Sequence, residues 1–335
     1  MKNITRKMVM VLMVMFLATM AVTSSGAQSQ DTWPLIYVCM QGSQSMFPRY
    51  QVAAMRQYME TAKPNVRIRV VFADDDASNQ LRQVETAVSE GAKAILLNPV
   101  DKVQSAAAVD YAHSKGIPVV TLSQSTNSKN ETAFVGSDDV ESGRLQMERL
   151  VKAAAEKGIK NPRFAYINAV LGHSAQVLRE QAYKEELAKY PQIKLVVQNT
   201  ADWSGEKALQ LVENWIQTYR KGNDPGIDMI AAQADCILVG AITAVENAGF
   251  AGKILLSGID ADMPVLEKIK AGVVDNTIWQ DAVVQGETAL KVAIDAAYGK
   301  PVKAILIPFQ TVTKDNVEEY IKKANSRNEL AAKYF

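Results

Sequence analysis

Histidine and cysteine are scarce in this chain, with two of each among 335 residues. His113, His173, Cys39 and Cys236 fall far apart, without ligand-type spacing, so there is no basis for a zinc-type centre. The cysteines lie in or beside expected strands. They read as buried thiols packing like small hydrophobes, with a disulfide as the alternative. Neither sign of charge dominates: Lys plus Arg is 37 and Asp plus Glu is 36. That balance predicts no nucleic-acid surface, so the expected ligand is small rather than polyanionic. There is no Gly-rich phosphate loop and no G-x-G-x-x-G, which removes the common nucleotide sites. Beyond Val22 no apolar run is long enough to span a membrane.

The first thirty residues differ from the rest. Lys2, Arg6 and Lys7 precede an apolar run from Met8 to Val22, and Ser24, Ser25, Gly26 and Ala27 follow. Charged, apolar, then small is the order of a secretory signal. The apolar run is shorter than the roughly 20 residues a spanning helix needs, which argues against a membrane anchor. A signal peptide over 1–27, cleaved near Ala27, is therefore expected. No cysteine lies near the cleavage region, so a lipid-anchored form is not expected.

The remainder alternates strand and helix signals. Apolar runs of strand length are LIYVCM (35–40), VRIRVVF (66–72), AKAILL (92–97) and IPVVTL (117–122), with helical segments at 50–62, 78–90 and 101–115. The unit then recurs in FAYINAV (164–170), IKLVVQ (193–198), IDMIAA (227–232) and KILLSGI (253–259). This spacing predicts α/β architecture, with parallel sheets covered by helices on both faces, in two doubly wound lobes. Gly91, Gly116, Gly249 and Gly272 stand where helix C-caps belong. Ligands of such sheets sit beyond the carboxyl ends of the strands. The segments there are QGSQSMFPRY, NPVD, SQSTNS, GHSAQ, ADWSGEKA, QADC and DADMP. Amides, hydroxyls, carboxylates and aromatics predominate, a mix suited to a neutral polyhydroxylated ligand.

Gly172-His173-Ser174-Ala175-Gln176 comes one residue short of the G-x-S-x-G elbow of a serine hydrolase. That mechanism needs a histidine downstream of the serine, and no histidine follows Ser174. Gln176 also replaces the second glycine of the strained turn. Ser174 reads instead as the N-cap of the helix carrying Arg179. Asp101 likewise reads as a helix cap, with Asn98 nearer the strand ends. No triad, metal set or cofactor loop supports an enzyme, and no cofactor is expected.

The ordered motifs ILLNPVD (95–101), GIPVVTL (116–122), VGSDDVESG (135–143), GHSAQVLREQAY (172–183), TADW (200–203), AAQADCILVGAI (231–242), SGIDAD (257–262) and NTIWQD (276–281) carry a resemblance. The chain resembles the type I periplasmic solute-binding proteins of ABC importers, in their ribose-binding branch. The resemblance implies two lobes joined by a three-segment hinge, with crossovers near Ser137, Gln280 and Gln310. The N-terminal lobe is then 31–137 plus 281–309, and the C-terminal lobe 138–280 plus 310–335. It implies a periplasmic monomer that closes on a sugar-like ligand and delivers it to an ABC permease. A sensory receptor working with a chemoreceptor, without import, is the alternative. A regulator of the same core would need an N-terminal DNA-binding module, where this chain has a secretion signal.

Residue by residue, the resemblance places Phe47 and Trp203 as stacking aromatics and Ser45 where an amide is common. It places Arg179 as donor to ring hydroxyls, Asp260 as acceptor from two hydroxyls and Gln280 as the hinge amide. Competing readings are a surface position for Arg179, core positions for Phe47 and Trp203, and a helix-capping role for Asp260 that Asp262 fills equally well. His173 belongs to the rim, within reach of the ligand. The ribose pattern has Asp-Arg where this chain has Ser123 and Gln124, and Asn-Asp where it has Ala234 and Asp235. Pro48 replaces a second aromatic. Loss of a charged pair removes charge-assisted hydrogen bonds, so a different sugar, a polyol or a related small polar molecule is expected. Exported protein should begin near Gln28 on N-terminal sequencing, and recovery of the intact Met1 form from membranes would overturn the signal assignment.

Overall fold

The computed structural model describes residues 32–335, so the signal segment at 1–27 lies outside the described residues. The first sheet is built from β1 (Leu35–Met40), β2 (Arg67–Phe72), β3 (Ala94–Leu97), β4 (Val119–Leu122) and β5 (Ala133–Gly136). Helices α1 (Met46–Ala62), α2 (Ala77–Ser89) and α3 (Ala106–Ser114) connect its first four strands. The second sheet holds β6 (Arg163–Asn168), β7 (Lys194–Thr200), β8 (Met229–Ala232), β9 (Leu255–Ile259) and β10 (Asn276–Trp279). Its helices are α4 (Asp139–Glu156), α5 (Ser174–Ala188), α6 (Gly205–Tyr219), α7 (Asp235–Asn247) and α8 (Met263–Lys270). Then α9 (Ala282–Ala297) returns to the first sheet, β11 (Ile305–Leu306) joins its edge, β12 (Gln310–Thr313) joins the second sheet, and α10 (Val317–Tyr334) follows.

Both sheets are six-stranded, in the orders β11-β5-β4-β3-β1-β2 and β12-β10-β9-β8-β6-β7. Every pairing is parallel except β12 on β10. Inner strands β1, β3, β4 and β8 are buried along their whole length, as strands covered on both faces must be, while the edge strand β2 alternates. The order reverses direction between β1 and β3 in one sheet and between β6 and β8 in the other. Loops leaving those strand ends diverge, and a crevice opens there. The chain passes between the sheets in the segments 136–139, 279–282 and 306–310.

The sequence reading found four strands per sheet and missed β5, β10, β11 and β12. Each has four residues or fewer; β3, β4 and β8 are as short but stand inside longer apolar runs, whereas β10 and β12 are interrupted by polar residues and β11 has only two. The helix expected over 101–115 begins later, at Ala106, because Asp101 Oδ1 accepts from Val103 N (2.8 Å) and Gln104 N (2.7 Å) and caps a preceding turn. The glycines at 91, 116, 249 and 272 have φ between +73° and +76°, the left-handed C-cap geometry. Cys39 and Cys236 are free thiols, and burial pushes the Cys39 thiol up to about 12. Among the described residues, no helix is long and apolar enough to cross a membrane.

One close approach fixes the second layer. A Cβ on Gly240 would lie 1.8 Å from the Gly205 carbonyl oxygen, so α7 packs against the start of α6 backbone to backbone. Gly240→Ala should therefore destabilise by about 1–3 kcal/mol through overpacking. A melting point lowered by several degrees is expected, and an unchanged one would show that α6 yields freely.

Candidate functional site

The two switch points face each other across a cleft of about 230 Å³. From the first sheet come Gln41, Gln44, Ser45 and Phe47 after β1, Asn98 after β3, and Ser123 and Gln124 after β4. The second contributes His173 and Arg179 after β6, Trp203 after β7, Ala234 and Cys236 after β8, and Asp260 and Asp262 after β9. Asp139 and Gln280 line the cleft from two of the crossings. Of the residues selected from sequence, Asp235 alone does not line it. The Asp235 carboxylate turns beneath the floor, accepting from Thr277 Oγ1 at 2.9 Å and from Asp262 N at 2.9 Å. It lies against Gly258, where a Cβ would come 1.9 Å from its oxygen. Its neighbours Ala234 and Cys236 reach the cleft in its place.

The helix starts also correct the reading. His173, with φ −63° and ψ 137°, is the N-cap of α5, and Ser174 is the first helical residue. Gln176 closes the turn by accepting from Gly172 N at 3.1 Å. At α8 the N-cap is Asp262, yet its side chain makes no capping bond and pairs with Arg327 at 3.2 Å.

Arg179 is the best-anchored group. Its Nε donates to Asp139 Oδ1 (2.9 Å), Nη1 to the Gln233 carbonyl (2.5 Å) and Nη2 to Gln280 Oε1 (3.3 Å). It is buried rather than on the surface. Asp139, its buried partner, was missed from sequence. The DD of VGSDDVESG marks a helix start, Asp138 takes the capping bond to Val140 N at 3.0 Å, and the second aspartate reads as dipole compensation. Burial lifts the Asp139 carboxyl above its ordinary range and Arg179 opposes that rise. The Asp260 carboxyl is raised chiefly by burial and further by Asp262, and is opposed by Arg179 and Arg327.

The remaining lining groups divide into engaged and unengaged ones. The Ser123 hydroxyl accepts from Gln51 Nε2 at 2.5 Å and donates to Gln285 Oε1 at 2.9 Å, so it is spent inside the first lobe. Asn98 Nδ2 donates to the Leu122 carbonyl at 2.9 Å. Gln124 Nε2 donates to Gln41 Oε1 at 2.5 Å, leaving Gln124 Oε1 buried without a partner. His173 Nε2 stands 3.3 Å from the same Gln41 oxygen, across the cleft. As Gln41 Oε1 can only accept, Nε2 carries the hydrogen and Nδ1 is an acceptor, which is also buried and unpartnered. The Trp203 ring meets the His173 ring edge-on at 5.0 Å, with Trp203 held at φ +60°. Phe47 is half-buried beside Tyr50 and Ala282. Outside the lining residues the two sides also approach: a Cβ on Gly172, which has φ +87°, would lie 2.9 Å from Asp101 Oδ2.

Two facing doubly wound sheets, three crossings and a polar cleft lined from both define a two-sheet small-molecule receptor. The chain belongs to the family described as periplasmic binding protein domain, whose model matches residues 36–301. Membership puts it among binding proteins rather than enzymes. It is 30% identical over 270 residues to a xylitol-binding protein of Mycolicibacterium smegmatis, covering 80% of this chain and 75% of that protein. It is 30% identical over 256 residues to the ribose import binding protein of Bacillus subtilis, covering 76% and 80% of the two chains. Among solved structures, an ABC transporter solute binding protein from Bacillus halodurans with bound myo-inositol superposes with a TM-score of 0.80. That structure is 32% identical and covers 87% of this chain and 98% of its own.

Burial holds His173 neutral, its pKa lowered to about 3, with Arg179 adding repulsion. The unfolded ring binds a proton near pH 6.5 and the folded one does not. This contribution to stability is therefore complete above pH 6.5 and is lost as pH falls towards 3, at up to about 1.4 kcal/mol per unit. In urea titrations His173→Gln should flatten the fall in stability between pH 6.5 and 4 relative to wild type. Equal slopes would show that His173 is protonated in the folded state.

Proposed function

We propose that this chain is the exported receptor of an ABC importer and that its ligand is a polyol, cyclic or linear. The two sheets form the cores of lobes at 32–137 plus 281–309 and at 138–280 plus 310–335, which close on the ligand and present it to a permease. The observation that carries the reading is the balance of free groups in the cleft. Ser123 and Asn98 are engaged within the first lobe, whereas Gln124 Oε1 and His173 Nδ1 are buried acceptors without partners. Asp260 adds a carboxylate at the wall. A ligand rich in hydroxyl donors satisfies such a set, and one that only accepts leaves it unpaired. Arg179 and the Gln280 amide supply donors, while Trp203 and Phe47 offer faces to C–H groups. Xylitol and myo-inositol, bound by relatives, are ligands of this chemistry. The cleft is complete within one chain, which supports action as a monomer. The charged, apolar, small-residue order of residues 1–27, without a nearby cysteine, supports export by signal cleavage and not by lipid attachment.

A thermal-shift screen with myo-inositol, xylitol, ribose and allose tests this directly. A true ligand at a hundred times its dissociation constant adds about 2.7 kcal/mol of stability. A polyol should give the largest shift, and a flat response across all four would overturn the proposal. Trp203→Ala should weaken binding of the selected polyol about ten-fold or more, equivalent to about 1.4 kcal/mol, in calorimetry. Unchanged affinity would return Trp203 to the rim.

A further inference from the structure

Helix α10 lies against α8 of the second lobe and against α1 of the first. Its one deeply buried cation is Arg327. Nη1 donates to the Asp260 carbonyl at 3.1 Å, and Nη2 donates to the Ala261 carbonyl at 2.9 Å and to Asp262 Oδ1 at 3.2 Å. The guanidinium is stacked between Tyr50 of α1, 4.3 Å from the ring centre, and Trp279 of β10, at 4.8 Å. These contacts meet at a strained place. Asp260 has φ +113° and Ala261 φ +52°, conformations that side-chain-bearing residues seldom adopt unless the surroundings enforce them. Asp260 and Asp262 both line the cleft. The carboxylates gathered there are Asp139, Asp235, Asp260 and Asp262, and the cations facing them are Arg179 and Arg327.

We propose that Arg327 is a positioning residue for the cleft. It holds the Asp260–Asp262 turn in its strained shape, supplies the counter-charge for that wall, and makes α10 part of the binding machinery. While Lys270–Glu318 and Tyr320 on Gln310 and Trp279 hold α10 to the second lobe, three further attachments tie it to the first. Tyr50 Oη donates to Asn328 Oδ1 at 2.6 Å, Arg56 Nη1 to the Tyr334 carbonyl at 2.6 Å, and Lys333 pairs with Glu60 at 2.6 Å. The helix is thus a strap from the back of α1 to the wall of the site. A planar fork is needed to reach two carbonyls and a carboxylate at once, and lysine cannot reproduce it.

The test has an arm that needs no ligand and an arm that rests on the polyol reading. In ligand-free protein with carbon-13-labelled aspartate, Arg327→Met should move the Asp262 carboxyl titration upward, because the nearest cation is gone. Arg327→Lys should leave it close to wild type. In calorimetry with whichever of myo-inositol or xylitol binds wild type, both variants should lose at least ten-fold in affinity. Asn328→Ala, which loosens the strap without touching the turn, should lose less than three-fold. An unmoved Asp262 titration in Arg327→Met would overturn the charge role, whatever the ligand proves to be. Affinity retained within two-fold in Arg327→Lys would overturn the positioning role, as would equal losses in Arg327→Lys and Asn328→Ala. If the Met variant does not fold, the Lys variant decides: unchanged titration with lost affinity supports the proposal, and unchanged affinity sinks it.

Discussion

A buried guanidinium has to be answered on every side, and the cleft is organised around that requirement at Arg179. Taking an unpaired charge out of water costs several kcal/mol. Here the cost is met by a carboxylate from the start of α4, a carbonyl from the end of β8 and an amide from the β10–α9 crossing. Those partners belong to different elements, so satisfying one cation brings α4, α5, β8 and a crossing segment to one point. The same demand recurs at the other end of the wall, where Arg327 answers two carbonyls and Asp262. Asp260 lines the cleft and feels both cations. The geometry of that space follows from charge neutralisation at its margins as much as from the shape of the sheets.

Much of the scaffold was legible because buried parallel strands are continuous apolar runs, and runs such as LIYVCM and AKAILL announce themselves. The rule that ligands sit past strand ends then pointed to the right loops. Three kinds of feature were not legible. Short strands outside a longer apolar run were lost, such as the two-residue β11 and β12 with its alternating threonines. Side-chain direction at a helix start was lost too: Asp235 and Cys236 are adjacent, and only the packing of Gly258 and Thr277 decides that the carboxylate turns away. Long-range pairing was the third. Asp139 and Arg179 stand forty residues apart, and Arg327 lies further still from Asp262. A capping aspartate or a helix arginine looks the same in sequence whether or not it meets a partner. Asp139 stands in the motif VGSDDVESG, where an acidic residue at a helix start already has an ordinary explanation.

The contrast between Ser123 and Gln124 shows why lining a cleft is not the same as serving it. Both face the space, yet one hydroxyl is spent on Gln51 and Gln285 and the other side chain keeps a bare acceptor. A buried acceptor without a donor is destabilised, so a ligand that donates to it is favoured. Discrimination in such a site comes chiefly from rejecting analogues that lack a hydroxyl, which strand a buried group, rather than from extra grip on the right one.

The contacts across the cleft have a kinetic meaning. A Cβ on Gly172 would lie 2.9 Å from Asp101 Oδ2, and His173 Nε2 stands 3.3 Å from Gln41 Oε1. These contacts must part before the two sides of the cleft can separate, so they add to the barrier a captured molecule meets on leaving. Residues that never touch the captured molecule can set how long it stays, and substitution at the rim can change the rates of entry and escape together while the equilibrium between them hardly moves.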